Sequence, residues 1–247
     1  MLVLSGGTKV RWSEVKYEIL ASSSAGNCTV VDGQIAIDMG IPFYKIEPFL
    51  KALKLVLLTH EHTDHFKPRT VKKMAMQRPT LKWVCRDWMV QPLLDAGVDV
   101  RNIHVLPADQ WQYYAEPIRL MICPFDTQHN VPNCGWKIWK GENDSLFYAT
   151  DLGTLDGIEA RGYSIYLLEA NHTEAEIEAA VAEAMENGEF TYRTRAAENH
   201  LSYEQAVDWL TENMGPTSMW VPMHQHKETH DGMVRSTSNN GEASEDA

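Results

Sequence analysis

The apolar residues of this chain come mostly in short runs separated by turn-forming residues. Runs of about four to eight residues rich in Val, Ile and Leu are typical of buried strands, whereas apolar residues three or four positions apart indicate helices. The runs predict strands at 15–21, 28–32, 34–38, 54–59, 81–85, 102–106, 119–124, 135–140, 145–150, 163–169 and 217–223, and helices near 44–53, 69–76 and 88–96.

Turn and capping signals add two helices and one hairpin to this pattern. Asp32-Gly33 lies between two strand runs and is typical of a hairpin turn. Thr173-x-x-Glu176 and Ser202-x-x-Gln205 both match the capping box that opens a helix, and the helices are expected to reach about residues 187 and 214. Strands and helices mixed in this way predict a layered α/β body, with a β-sandwich inside and helices outside.

Length and composition favour one folded domain over residues 1–231. The 247 residues fit one large domain or two small ones, and no long linker divides them. The remainder, 232–247, is rich in Ser, Asn, Gly and Glu and is expected to be disordered. Four scattered cysteines favour buried free thiols over disulfides, and no apolar run approaches the ~20 residues of a membrane span. Residues 1–16 lack the apolar region of a secretory signal, so a cytoplasmic location without membrane attachment is expected.

The net charge of −12 narrows the substrate classes. The last 21 residues supply −3 of it, which leaves a distinctly acidic body. Broad, nonspecific binding of a nucleic-acid backbone is therefore disfavoured, whereas a small or end-bound anionic substrate stays compatible with the composition.

The strongest chemical signal is the string His60-Glu61-His62-Thr63-Asp64-His65, directly after the apolar run 55–58. Three imidazoles and a carboxylate within six residues are the ligand types that zinc and its first-row neighbours prefer. A string of this kind at the end of a buried strand predicts a metal-binding loop and, with it, a hydrolase site.

Three further candidate ligands also follow predicted strands. His129 follows the strand at 119–124, Asp151 ends the run at 145–150, and His224 ends the run at 217–223. A binuclear site needs roughly eight to ten ligand positions with one left open for water, so the first loop alone cannot supply it.

These motifs, in this order, resemble the metallo-β-lactamase fold family. Within that family the chain is most similar to the RNase Z and RNase J side, and specifically to the YycJ/WalJ-like single-domain hydrolases. Besides the metal string, the resemblance rests on four short segments: SSSAGN at 22–27, IAIDMG at 35–40, LEANH at 168–172 and NHLS at 199–202. It runs from about residue 15 to residue 227.

The resemblance implies a four-layer αβ/βα sandwich that binds two divalent metal ions, Zn or Mn. By analogy His60, His62 and His129 bind the first metal, and Asp64, His65 and His224 bind the second. Asp151 bridges the two. The family usually has His-Leu-Ser at the final ligand, whereas this chain has His224-Gln225-His226, and the preceding strand favours His224 as the ligand.

The same analogy assigns catalytic roles beyond the metals. Asp64 both binds metal and orients the attacking water. His200 lies near the leaving oxygen, where an imidazole can donate a proton, and Glu169 holds that imidazole in orientation. Four residues are weaker candidates for substrate contact, since each also suits a turn, a helix entry or plain solvent exposure: Ser24, Asn27, His172 and His226.

The leading functional hypothesis is therefore a metal-dependent phosphodiesterase with a nucleotide or nucleic-acid substrate. A nuclease and a cyclic-nucleotide phosphodiesterase both fit. The chain lacks the β-CASP insertion and the long tRNA-binding arm of larger relatives, which disfavours a processive RNase but does not separate a compact DNA exonuclease from a cyclic-nucleotide enzyme. The alternatives are a metal-dependent hydrolase of an ester, thioester or lactone, which the fold also supports, and a non-enzymatic metal-binding protein. Some relatives build the site across a dimer, so a homodimer stays open.

Overall fold

The computed structural model describes residues 15–115, 117–141, 144–187 and 198–225. These residues form two six-stranded sheets that pack face to face. The first sheet has the order β1-β2-β3-β4-β5-β6, with strands Tyr17–Ser23, Gly26–Val31, Ile35–Ile37, Leu55–Leu57, Lys82–Cys85 and Ile103–Val105.

The first sheet changes from antiparallel to parallel at β3. Strands β1 to β3 form a meander, and its second turn contains Asp32 and Gly33 at φ 51° and 67°, as a tight hairpin requires. Strands β3 to β6 are parallel and are connected by helices α1 to α3, at Phe43–Leu50, Pro68–Gln77 and Val90–Asp95.

The second sheet has the order β12-β11-β10-β9-β8-β7. Its antiparallel strands are β7 (Gln112–Tyr114), β8 (Leu120–Thr127), β9 (Asn133–Gly141) and β10 (Asp144–Ala149). Parallel pairing then adds β11 (Ile165–Glu169) and β12 (Met219–Met223), and helices α4 (Glu174–Asn187) and α5 (Tyr203–Asn213) lie in the connection between these two strands.

Three apolar layers hold these elements together. Residues from both sheets, among them Leu57 and Trp136, fill the central layer. The outer face of the first sheet packs against α1 to α3, and the outer face of the second sheet packs against α5. Strand alternation explains the division, because Tyr148 faces the central layer whereas its neighbour Phe147 faces α5. The result is the four-layer αβ/βα sandwich that the sequence predicts.

The predicted strands and helices are present with shifts of a few residues at their ends. The helix expected at 88–96 begins as a 3-10 turn, Asp87–Met89, before α3. Strand β7 escapes prediction because its three residues are largely exposed and form no apolar run.

All four cysteines are buried and unpaired, as expected. The expected disordered tail at 232–247 lies outside the described residues. Within the described ranges, no helix is long and apolar enough to cross a membrane.

The topology brings several strand ends to one edge of the sandwich. Strands β8, β10, β11 and β12 run in the same direction, so their carboxyl ends lie on the same side. The segments that follow them, and the segments after β3 and β4, carry the candidate ligands and the residues that hold them.

Candidate metal centre

Three groups of potential metal ligands occupy this edge, and the third, which consists of Asp151, Glu169, His200 and His224, shares two residues with the second. The first donor cluster consists of His60, His62 and His129, and the second donor cluster consists of Asp64, His65, Asp151 and His224. Within each cluster the ligand atoms lie within 4.8 Å of one another. The clusters adjoin directly, because the ring centroids of His60 and His65 are 4.2 Å apart.

The first donor cluster has the spacing of a tetrahedral metal site. The Nε2 of His60 lies 3.2 Å from the Nδ1 of His62, which in turn lies 3.3 Å from the Nε2 of His129. Two imidazoles bound to one tetrahedral zinc at about 2.0–2.1 Å place their nitrogens about 3.3 Å apart. Both distances match this separation, so the three histidines suit a single metal ion.

The second donor cluster mixes carboxylates with imidazoles. The Oδ2 of Asp64 lies 3.5 Å from the Nε2 of His224 and 3.7 Å from the Nε2 of His65. Asp151 contacts both imidazoles, with its Oδ2 2.7 Å from His65 and its Oδ1 3.6 Å from His224. A mixed set of oxygen and nitrogen donors suits Zn, Mn or Fe.

Unusual backbone conformations aim the donors of these segments. Asp38, Asp151 and His224 each follow a strand and have φ values of 59°, 57° and 52°. Left-handed conformations at residues other than glycine cost of order 1–3 kcal/mol and are concentrated at functional sites. Here all three residues follow strands that end beside the donor clusters.

A close backbone contact fixes the metal-binding loop. A Cβ atom at Gly40 would lie 1.6 Å from the carbonyl oxygen of Asp64, so only glycine fits there. The same carbonyl accepts a hydrogen bond from the backbone N–H of Asn27, and the carbonyl of His65 accepts one from Met39. The loop is thus held against the strands on both sides before any metal binds.

Four of the five candidate histidine ligands are held through their second ring nitrogen. The Nδ1 of His65 lies 2.7 Å from the Oδ2 of Asp38, and the Nδ1 of His60 lies 3.0 Å from the hydroxyl of Thr59. The Nδ1 of His129 lies 3.2 Å from the Asn199 carbonyl, and the Nδ1 of His224 lies 3.1 Å from Glu169. Such contacts fix the tautomer and the orientation of metal-binding histidines.

Glu169 connects the second donor cluster to His200. This fully buried carboxylate places its Oε1 2.7 Å from the Nδ1 of His200, while its Oε2 accepts backbone N–H groups from Leu152 and Leu201. The Nδ1 of His200 also lies 3.8 Å from the Oδ1 of Asp151. Since 18% of the His200 side chain is exposed, a substrate can reach this imidazole beside the metal centre.

Burial disfavours protonation of His60 and His129 in the first donor cluster. It lowers the pKa of His60 far below the ordinary histidine value, and the neighbouring His65 lowers it further. Burial likewise lowers the pKa of His129. Both imidazoles are therefore unprotonated at neutral pH and ready to bind a cation.

In the second donor cluster, neighbouring carboxylates outweigh burial and raise the pKa values of the histidines. Burial opposes protonation of His65, yet Asp151 and Asp38 raise the pKa of its imidazole well above 6.5. Burial also opposes protonation of His224, but Asp151, Asp64 and Glu169 raise its pKa to about 10. Despite burial, Glu169 also raises the pKa of His200. In the metal-free protein His224 is therefore protonated at neutral pH, and protonation of His65 and His200 is favoured relative to an ordinary histidine.

The candidate substrate residues differ in their placement. Ser24 is exposed in the β1–β2 turn, whereas Asn27 is fully buried with its Nδ2 2.8 Å from the Nε2 of His65. Asn27 therefore braces the second donor cluster in this structure. His172 is buried, and its Nδ1 has no hydrogen-bond partner among the described residues. His226 lies outside the described residues.

Several residues of the site were not predicted from the sequence. Asp38 and Thr59 form a buried pair under His65, with the Thr59 hydroxyl and N–H both 2.9 Å from the Oδ1 of Asp38. Asn171 donates to the carbonyl of His224, and Asn133 donates to the carbonyls of Thr150 and Asp151. Asp38, Thr59 and Asn171 each lie at or just after the end of a predicted strand. This position indicates that they lie near the site, but it does not indicate which residue each of them contacts.

The comparison with protein families gives one model that spans most of the chain. Residues 37–225 match the model described as the β-lactamase superfamily domain. The matched range contains both donor clusters, Glu169 and His200.

Solved structures with the same fold include three of interest. The metallo-β-lactamase fold protein YhfI from Bacillus subtilis has 14% identity and a TM-score of 0.66, covering 86% of this chain and 87% of that one. The short form of human tRNase Z has 13% identity and a TM-score of 0.60, with coverage of 85% and 92%. A diphosphatase from the PhnP family has 14% identity and a TM-score of 0.61, with coverage of 88% and 91%. At these identities the likeness establishes the fold alone.

Curated relatives match over a shorter segment. Cytidine monophosphate-N-acetylneuraminic acid hydroxylase from Sus scrofa is 28% identical over 95 residues, which cover 37% of this chain and 22% of the hydroxylase. The same enzyme from Cricetulus griseus is 28% identical over 90 residues and is covered to 16%. The chain therefore spans only a small part of these proteins.

Proposed function

This chain belongs to the β-lactamase superfamily, whose members are typically metal-dependent hydrolases, and we propose that it is a binuclear phosphodiesterase acting on a nucleotide or nucleic acid. Within the superfamily, the segments at 22–27, 168–172 and 199–202 favour the YycJ/WalJ-like branch. The names of two structural neighbours, a tRNase Z and a diphosphatase, are consistent with phosphate chemistry.

The donor clusters suit two divalent ions, Zn or Mn. His60, His62 and His129 would hold one ion, Asp64, His65 and His224 the other, and Asp151 would be shared. Two such cations lower the pKa of water toward about 7 and offset the negative charge of phosphoryl oxygens. The buried Asp38–His65 and Glu169–His224 contacts keep the imidazoles oriented for this task.

The observation that carries the phosphodiester proposal is the Glu169–His200 pair beside Asp151. Cleavage of a phosphodiester releases an alkoxide, which needs a proton as the bond to phosphorus breaks. Glu169 raises the pKa of His200, which favours the protonated imidazole, and the 2.7 Å contact holds that imidazole beside Asp151, where it can supply the proton. Asp64, at the edge of the second donor cluster, can accept a hydrogen bond from the attacking water.

The first test combines metal content with a panel of substrates. Purified protein should hold about two equivalents of Zn or Mn and should cleave bis(p-nitrophenyl) phosphate, and the panel adds DNA, RNA, cyclic nucleotides, a thioester and a lactone. Cleavage of the lactone or thioester without any phosphodiester would replace the proposal by the carbon-ester alternative. Metal-loaded protein that cleaves none of them would refute hydrolase activity on these classes.

The role of His200 separates substrates by their leaving group. The p-nitrophenolate ion leaves without a proton, whereas a nucleoside alkoxide does not. His200→Ala should therefore reduce kcat on a nucleotide phosphodiester by about 10²- to 10⁴-fold and reduce kcat on bis(p-nitrophenyl) phosphate far less. An equal loss on both substrates, with metal content unchanged, would show that His200 does not act as the proton donor.

A further inference from the structure

Helix α2 is strongly basic in an otherwise acidic chain. Residues 65–86 contain seven Lys or Arg residues and no Asp or Glu, although the chain carries a net charge of −12. The overall charge therefore conceals a local excess of positive charge, and this excess follows directly after the metal-binding loop.

The basic side chains of α2 face away from the core. The helix packs through Thr70, Val71 and Met74, which are buried. Four cations occupy the remaining surface and define the α2 basic face: Lys67, Arg69, Lys72 and Lys73. Among the described residues none of these four forms an ion pair.

The α2 basic face starts at the metal centre. Lys67 follows His65 by two residues, and its Nζ lies 3.4 Å from the carbonyl of Ala25 in the β1–β2 turn. The helix then extends for ten residues, or about 15 Å. Lys72 lies about 7.5 Å along the axis from Lys67, on the side away from the metal-binding loop.

Helix α4 presents the opposite charge next to the site. It begins two residues after His172 and contains five glutamates and no basic residue. Its described residues bury no side chain. A polyanion at the metal centre is thus attracted along α2 and repelled along α4.

We propose that the α2 basic face binds the sugar-phosphate backbone of a polynucleotide strand that runs away from the metal centre. This inference rests on the proposed phosphodiesterase function and specifies its substrate as a chain longer than a cyclic nucleotide. Lys and Arg that neutralise phosphates release condensed counterions, which provides affinity without sequence preference. Tyr44, 68% exposed at the start of the neighbouring helix α1, offers a ring on which a base can stack.

The test compares two double variants with the same change in charge. Arg69→Glu/Lys72→Glu alters the α2 basic face, and Lys16→Glu/Arg161→Glu alters two exposed cations outside α1 and α2. Binding of a fluorescent 20-nucleotide single strand is measured by anisotropy with the metal-loaded full-length protein, at several salt concentrations. Cleavage of that strand, of a 3′,5′-cyclic nucleotide and of bis(p-nitrophenyl) phosphate is measured in parallel.

The α2 variant should bind the strand at least tenfold more weakly, and the slope of log affinity against log salt should fall by about 1.4, or roughly 0.7 for each lost phosphate contact. Its activity on the cyclic nucleotide and on bis(p-nitrophenyl) phosphate should stay unchanged, and the control variant should bind the strand nearly as the wild type does. Equal weakening in both variants, or unchanged binding in the α2 variant, would overturn the inference. Absence of all phosphodiester cleavage by the wild type would instead refute the proposed function, and the anisotropy measurement would still decide on the surface.

Discussion

The two donor clusters stand side by side, yet they differ in charge and in what competes with a metal. The first donor cluster contains only imidazoles, and burial lowers the pKa of His60 and His129. The second donor cluster adds two carboxylates, which raise the pKa of His65 and His224. A metal that binds the first cluster meets His60 and His129 in the neutral form, whereas at the second cluster it competes with protons favoured on His65 and His224.

The difference follows from the elements that supply the ligands. The first donor cluster depends on the 60–62 segment and one residue after β8. The second depends on Asp64 and His65 of the same loop and on the residues that follow β10 and β12, and it lies next to buried Asp38 and Glu169. Protons on the histidines offset these carboxylates in the metal-free protein, and a cation takes over that role when it binds.

The largest expected effect comes from removing one ligand from each cluster in turn. Asp151→Ala should lower kcat on bis(p-nitrophenyl) phosphate by at least about 10³-fold, because it removes the carboxylate next to both His65 and His224. The remaining three histidines of the first cluster should retain about one metal equivalent. His60→Ala should cause a similar loss of activity while the second cluster keeps its metal.

Metal content by elemental analysis and folding by circular dichroism would check this pair of variants. Asp156→Ala, an exposed aspartate beyond Asp151, serves as the control and should behave as the wild type. Loss of both metals from Asp151→Ala would mean that the clusters are not separable.

A smaller effect is expected from Asp38→Asn, which leaves every ligand in place. Asp38 holds the Nδ1 of His65 at 2.7 Å, so its loss should weaken metal binding at the second donor cluster by about 10- to 100-fold. Binding at the first cluster should change little. Competition with a chromophoric chelator resolves the two affinities, and an equal loss at both sites would contradict separate orientation of the clusters.

The sequence predicts the ligands better than their supports, and the reason is physical. His60, His62 and Asp64 are recognisable because ligand types repeat at close spacing after an apolar strand. Asp38 is equally buried and well placed, but its partner His65 is 27 residues away, and no local pattern records that contact. The layered α/β arrangement was predictable because strand and helix periodicity is local, whereas the four-layer sandwich was implied by the family resemblance.

Averaged quantities were less informative than local ones. The net charge of −12 disfavours backbone binding when it is spread over the chain, yet α2 and α4 concentrate opposite charges on different helices. Only the positions of these helices relative to the metal-binding loop indicate on which side of the site a polyanion is attracted and on which side it is repelled.

The smallest expected effect is the pH dependence of metal binding and of stability. It tests directly whether the histidines of the two donor clusters differ in protonation. Since the pKa values of His65 and His224 are raised, metal uptake at the second donor cluster should release protons at pH 7, and its affinity should rise with pH. Calorimetry in buffers of different ionisation enthalpy should find about one to two protons released at the second site and fewer at the first.

The thermal stability of the metal-free protein should fall as the pH rises, whereas the metal affinity of the second donor cluster should rise. A histidine with a raised folded pKa stabilises the fold fully below its unfolded pKa of about 6.5, and this contribution is lost as the pH rises through the folded value, about 10 for His224. The Tm of chelator-treated protein should therefore fall as the pH rises from about 6.5 toward 10, by roughly 2–4 °C for each kcal/mol lost. The metal-loaded protein should lack this decline, because bound cations replace the protons that offset Asp151, Asp38 and Glu169. A metal-free protein whose Tm rises over that range would show that the second donor cluster does not hold protons in place of metal.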